Sequence, residues 1–182
     1  AIPFLDQTKP HQQIPFQYSL HILDAPGSEL KHRDFLHTEK TTPIPHLLKV
    51  LRADVGDTGS IIVWNKSFEK GCNEGMGESC NEYKDFMSAI NNRLYDLMLI
   101  FKDKYLDYRF KGSASIKNVL PVLVPALDYK ELEIQHGTMA MDGIIDLIEG
   151  KTGDPVKLVH ALKVYCELDT LAMVKILGFL RN

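Results

Sequence analysis

Ser60-Ile61-Ile62-Val63-Trp64-Asn65-Lys66-Ser67-Phe68-Glu69 is the stretch on which the fold of this chain turns. Its first half is a short, continuously apolar run, as expected of a strand covered on both faces, and such strands belong to parallel sheets flanked by helices. Its second half follows directly, and in open α/β sheets functional groups gather beyond the carboxyl ends of the strands. If a helix starts here, Asn65 and Glu69 lie one turn apart and present an amide and a carboxylate together. The alternative is that Asn65 caps the helix and Glu69 sits near its positive end.

The flanking segments fit a helix-rich α/β chain. Upstream, Phe16, Tyr18, Leu20 and Ile22 alternate with Gln17, Ser19 and His21, a period of two that reads as a half-buried strand. Asp24-Ala25-Pro26-Gly27-Ser28 is turn chemistry, so 16–37 reads as an antiparallel hairpin, while 1–15 reads as irregular. Thr42-Pro43-Ile44-Pro45 leads into a helix over about 45–54, because proline is tolerated in a first turn, and Asp57-Thr58-Gly59 breaks the chain. After a Gly-rich stretch at 71–77, apolar residues from Tyr83 to Tyr105 recur at steps of three and four, which predicts one long amphipathic helix. Residues 107–130 hold at most a short helix near 115–120, and 137–149 form another. Asp154 and Pro155 open the last helix as N-cap and first helical residue.

Composition narrows the function. The chain has 182 residues, 45% hydrophobic and 25% charged, which suits a single domain. Its net charge of -3 argues against nucleic-acid binding driven by phosphate neutralisation alone. It leaves room for a nuclease whose metal ions bring the positive charge. Cys72, Cys80 and Cys166 are an odd set of thiols, with no neighbouring His or Cys beside Cys72 and Cys80 to complete a zinc site. No apolar run approaches the ~20 residues of a membrane span, and the first residues carry no basic leader. A cytoplasmic, non-membrane protein is expected.

The last helix carries an anomaly. Leu158, Leu162, Tyr165, Asp169, Ala172 and Ile176 fall on one stripe. A carboxylate in an apolar row is costly unless it is paired or bound to a metal. Either Asp169 lies at the edge of the stripe, solvated or paired with a lysine such as Lys163, or it belongs to a site with Tyr165 one turn away.

Taken in order, Asn65-Lys66-Ser67-Phe68-Glu69 resembles the second motif of the DEDD-type 3′–5′ exonucleases, and Tyr165-Cys166-Glu167-Leu168-Asp169 resembles the third motif of their tyrosine subgroup. Between them, Lys111 to Lys117 is similar to the Ser-Leu-Lys segment of ribonuclease D relatives. A closer resemblance, carried by Thr8 to Ser19, Trp64 to Lys70, Phe110 to Ser113, Val119 to Pro125 and Tyr165 to Ile176, is to a bacterial family catalogued as a domain of unknown function. Its members often sit C-terminal to a RecB-like nuclease domain. Two departures stand out. No Asp-x-Glu strand precedes Phe16, Asp6 being the one acid there, and Glu69 replaces the usual Asp.

The resemblance implies an α/β, ribonuclease H-like fold, a mixed sheet flanked by helices, with its first central strand missing from this chain. It implies a metal-dependent 3′–5′ exonuclease on DNA or RNA, with two Mg²⁺ or Mn²⁺ ions held by four carboxylates, Glu69 and Asp169 among them. Tyr165 would orient the attacking water, and Asn65, Phe68 and Lys117 would contact substrate, Phe68 by stacking on a terminal base. With two carboxylates absent, the chain as given is expected to be inactive. The alternative is a catalytically silent module that binds nucleic acid or protein. Lys102, Lys104, Arg109, Lys111 and Lys117, interleaved with Tyr105, Tyr108 and Phe110, offer either a nucleic-acid track or a solvated helix end and loop. A gap in the sheet would also invite a strand-swapped homo-oligomer.

Overall fold

The computed structural model describes residues 13–181. The readings made at 1–12, including Asp6, lie outside the described residues. Two strands open the described chain, β1 (Gln17–Ile22) and β2 (Lys31–Leu36), paired antiparallel from Gln17 opposite Leu36 to Ile22 opposite Lys31. They are followed by α1 (Ile44–Val55), β3 (Ile61–Val63) and α2 (Lys66–Ser79). Next come α3 (Lys84–Arg93), β4 (Leu94–Asp96) and α4 (Met98–Asp103). The chain ends with α5 (Ile116–Leu123), α6 (Gly137–Ile148) and α7 (Pro155–Arg181). The α/β class and the dominance of helix are as the patterning indicates. No helix among the described residues is long and apolar enough to cross a membrane.

The hairpin is covered on both faces. Tyr18 and Phe35 look toward α1, where the Tyr18 hydroxyl donates to Asp54 at 2.7 Å and Phe35 packs edge-on against His46. The alternating polar face, Gln17, Ser19 and His21, reads from sequence as solvent-facing. It lies instead against α7. Gln17 donates to the Leu162 carbonyl at 2.9 Å, Ser19 and His21 both meet the Thr170 hydroxyl at 2.8 Å, and Asp34 on β2 pairs with Lys163 at 2.7 Å. A polar face can be buried once its groups find partners across the interface. Lys163, the alternative partner for Asp169, is therefore engaged by Asp34.

The predicted helix over 83–105 is not one helix. Leu94–Asp96 leave it to form β4, parallel to β3 with Ile61 opposite Leu94 and Val63 opposite Asp96, and the Leu97 amide extends the ladder to the Val63 carbonyl at 2.9 Å. A helix satisfies only its own backbone, whereas β3 needs a neighbour for its amides and carbonyls. The step-of-three-and-four pattern survives because Ile90, Leu94, Leu97 and Phe101 remain buried on both sides of the break. The Asn91-Asn92 pair before it, poor in helix propensity, is the sequence's trace of the interruption.

The described strands form two separate two-stranded sheets. One sheet is β1-β2, the other β3-β4, and among the described residues β1 and β3 each pair on one side only. A first core cluster, with Leu47, Leu48, Met87 and Ile90, joins the hairpin to α1, α2 and α3. A second, with Leu97, Phe101, Val119, Leu120, Ala172 and Ile176, joins α4 and α5 to α7. A third, around Ile144 and Leu162, packs α6 on α7.

The Gly-rich stretch is helical, since α2 runs through Gly71, Gly75 and Gly77. Gly77 packs against α3: a Cβ there would lie in van der Waals contact, 3.4 Å from the Lys84 Cα and 3.5 Å from the Met87 Cβ. Gly71 faces open space. Gly71→Ala is therefore expected to stabilise the fold by about 0.5–1 kcal/mol, read as a higher midpoint in urea at unchanged slope.

Candidate functional site

The site is built where β3 ends. Asn65 turns the chain in the left-handed region, φ 77°, which asparagine tolerates better than most residues. Its side-chain oxygen accepts from the Phe68 amide, so Asn65 caps α2. Asp96, at the end of β4, holds this turn: its carboxylate accepts from the amides of Asn65, Lys66 and Met98 at 3.2, 2.8 and 3.1 Å. Glu69 then projects from the first turn of α2. Asp169 comes from α7, in a stripe whose Leu162, Ala172 and Ile176 are fully buried.

The two carboxylates feel one another. Burial pushes the Glu69 carboxyl above the usual carboxylate range, and the Asp169 charge pushes it further. Burial also raises Asp169, outweighing the Tyr129 hydroxyl and the Lys117 ammonium that pull it down. Both side chains keep part of their surface open to solvent.

Around Asp169 stands a cage. The Tyr129 hydroxyl donates to its Oδ1 at 2.6 Å. Tyr165 packs edge-on to Tyr129, ring centroids 6.1 Å apart, and the Lys117 ammonium lies 5.3 Å from the Tyr129 ring centre and 5.5 Å from that of Tyr165. Burial and the Asp169 charge hold both phenols up, so both stay protonated. Cys166 is raised by burial and then by Asp169 and Glu69, and Cys72 is pushed up to about 11 by burial and Glu69. These cysteines are inert thiols rather than nucleophiles.

Trp64 explains how Lys117 arrives. Its indole donates to the Ala114 carbonyl at 3.0 Å and stacks on Phe101, docking the 113–115 segment and the start of α5 against the end of β3.

Tyr165, Glu69, Asp169 and Lys117, assigned together from sequence, thus share one neighbourhood. Asn65 caps α2, and Phe68 is half exposed. Tyr129 and Asp96 were not legible, because each acts on a residue distant in sequence. In the basic segment, Arg109 folds back onto Asp107 at 2.6 Å, so that part of the suggested track neutralises itself. Tyr108 and Leu106 beside it are largely exposed. Of two open grooves, one of about 370 Å³ borders the Lys66 and Asp96 turn and runs past Tyr95 and Leu99, and one of about 360 Å³ lies around Leu106 and Phe110.

Tyr129→Phe removes the hydroxyl from Asp169. It is expected to raise the Asp169 pKa further and to cost roughly 1.5–3 kcal/mol where the carboxylate is charged. The cost shrinks as pH falls through the raised folded-state pKa of Asp169, where the carboxyl that accepts the bond becomes neutral. Urea unfolding of both proteins across pH 4–8 measures it.

Comparison with known proteins places this chain in a family. The model of the family described as "Domain of unknown function (DUF2779)" matches residues 1–115. Uncharacterized protein UU173 of Ureaplasma parvum is 32% identical over 142 residues, covering 68% of this chain and 21% of that protein. The uncharacterized MG366 homolog of Mycoplasma pneumoniae is 29% identical over 204 residues, covering 100% of this chain and 30% of that protein. Uncharacterized protein MG366 of Mycoplasma genitalium is 32% identical over 137 residues, covering 68% and 20%. The chain therefore spans less than a third of the length of these relatives. No solved structure matches.

Proposed function

Because the chain belongs to the DUF2779 family, whose description assigns no activity, its function has to come from its own side chains, and we propose that it is a metal-dependent 3′–5′ exonuclease domain of ribonuclease H-like fold. The observation that carries this is the pair Glu69 and Asp169, two half-buried carboxylates from distant elements, near enough for the Asp169 charge to raise Glu69 and both disfavoured as anions by burial. Such a pair gains from a bound divalent cation, and oxygen donors suit Mg²⁺ and Mn²⁺. Glu69 and Asp169 would hold the ion. When bound, it would lower the pKa of a water and polarise a phosphate oxygen.

The remaining roles follow from the cage. Tyr129 fixes the Asp169 carboxylate through its 2.6 Å hydrogen bond. Tyr165, protonated at working pH, offers its hydroxyl to orient water or a phosphate oxygen. Lys117, held over two phenol rings, supplies positive charge toward the phosphate. Phe68, half exposed at the start of α2, offers a face for base stacking.

The fold reading rests on element order. Among the described residues a hairpin, a helix, a strand, two helices and a second parallel strand follow the ribonuclease H-like order from its second strand onward. The first strand of that order would lie between the unpaired edges of β1 and β3 and would bring the two further carboxylates of a two-metal site. Among the described residues, Glu69 and Asp169 are not part of any cluster of three metal-ligating side chains, which favours, as a second reading, a silent module that binds nucleic acid or protein. The two are separated by assaying single-stranded DNA and RNA, labelled at the 5′ end, with the domain extended upstream, with and without Mn²⁺. Stepwise shortening from the 3′ end supports the first reading. Binding without shortening supports the second.

A further inference from the structure

A second constellation lies on the other side of α7. His21 and His32 stand directly opposite one another in the β1-β2 register, with ring centroids 4.7 Å apart. Glu167 reaches them from α7. One ligand atom from each of the three lies within 4.8 Å of the others. At about 100° per residue, Glu167 and Asp169 point to opposite sides of the helix, so this cluster is separate from the acid pair.

Its surroundings are organised. His21 Nδ1 meets the Thr170 hydroxyl at 2.8 Å, and His32 Nε2 meets the Ser19 hydroxyl at 2.9 Å. Those hydroxyls meet each other at 2.8 Å. One nitrogen of each ring is thus oriented, and the other has no partner among the described residues. Hydroxyls that fix ring orientation while leaving the second nitrogen free are the usual outer support of metal-binding histidines. The Glu167 carboxylate likewise has no hydrogen bond or ion pair among the described residues, although its helix is packed on the hairpin. Burial and the neighbouring His32 lower the His21 imidazole, against the opposing pull of Glu167.

We propose that His21, His32 and Glu167 bind a borderline divalent transition ion of the Zn²⁺ type, clamping the hairpin to α7. Two imidazoles and a carboxylate select Zn²⁺ and its neighbours over Mg²⁺ or Ca²⁺, which prefer all-oxygen sets. Three protein ligands leave a fourth tetrahedral position for water. Metal–nitrogen distances of about 2.0–2.1 Å require these atoms to draw together by small side-chain adjustments. The clamp would set the rotation of α7, and with it the position of Tyr165 and Asp169.

Calorimetric titration with ZnCl₂, together with metal content after dialysis, tests this on the whole chain. One Zn²⁺ per chain is expected for the wild type, and a rise in its melting temperature. His32→Gln should abolish stoichiometric binding. Glu167→Gln, which removes no other contact and guards against a misfolded histidine variant, should do the same or weaken binding at least ~10-fold. Thr170→Val, which loosens the ring support, should weaken it about 10-fold or more. A variant with Cys72, Cys80 and Cys166 changed to Ser, and Asp169→Asn, should both retain it, keeping this site distinct from the thiols and from the acid pair. Absence of stoichiometric Zn²⁺ in the wild type overturns the proposal. So does its persistence in His32→Gln combined with Glu167→Gln, or its loss in the cysteine variant.

Discussion

Asp169→Asn, in this domain extended upstream, is expected to lower Mn²⁺-dependent release of 3′-terminal nucleotides by about 10³-fold or more. A bound divalent ion contributes several kcal/mol to a charged transition state, and each ~1.4 kcal/mol is a factor of ten. Asparagine keeps the size of Asp169 and can still accept the Tyr129 hydrogen bond, so the fold is retained while the charge that would hold the ion is removed. Tyr165→Phe keeps both carboxylates and should lower the rate while leaving Mn²⁺ dependence intact. On the 182-residue chain itself, no Mn²⁺-stimulated activity is expected, because the two carboxylates brought together among the described residues do not make a two-metal site. Measured single-turnover rates for the variants decide this. Unchanged activity in Asp169→Asn would remove the acid pair from any catalytic role.

Glu69→Gln is expected to stabilise the chain at pH 8, by roughly 1 kcal/mol, which is about 2–4 °C in melting temperature for a domain of this size. The sign follows from the direction of the shift. The folded-state pKa of Glu69 lies above the unfolded value, through burial first and the Asp169 charge second. Its contribution is therefore fully present below the unfolded pKa, near 4, and is lost as pH rises through the folded value. The Gln variant lacks this loss, so the two stability curves should coincide near pH 4 and diverge toward pH 8. Millimolar Mn²⁺ should act oppositely, raising the wild-type melting temperature at pH 8 and leaving Glu69→Gln nearly unmoved. Thermal melts across pH with and without Mn²⁺ test both halves. Equal pH profiles would mean that Glu69 is solvated rather than confined. A residue that destabilises its own fold at working pH is consistent with a group kept for chemistry.

Local pattern determined much of this protein. The alternation of Phe16 to Ile22, the leucines of α1, the apolar run before Asn65 and the Asp154-Pro155 start of α7 each report their own element, because helix and strand periods are properties of contiguous backbone. The same arithmetic put Tyr165 and Asp169 on one buried face. Tertiary structure decided the rest. Leu94-Tyr95-Asp96 fits a helical stripe by spacing and becomes a strand because β3, more than thirty residues earlier, needs hydrogen-bond partners. Gln17, Ser19 and His21 look like a solvated face and are an interface because α7, far along the chain, meets their polar groups. Tyr129 lies in a stretch without periodicity, and only the folded chain brings its hydroxyl to Asp169. His21 and His32 become a pair through hairpin register, and Glu167 joins them through helix packing. Periodicity carries the burial of a residue within its own element. Which distant group meets it is set by long-range pairing, where the unmet hydrogen bonds and charges of one element choose the other.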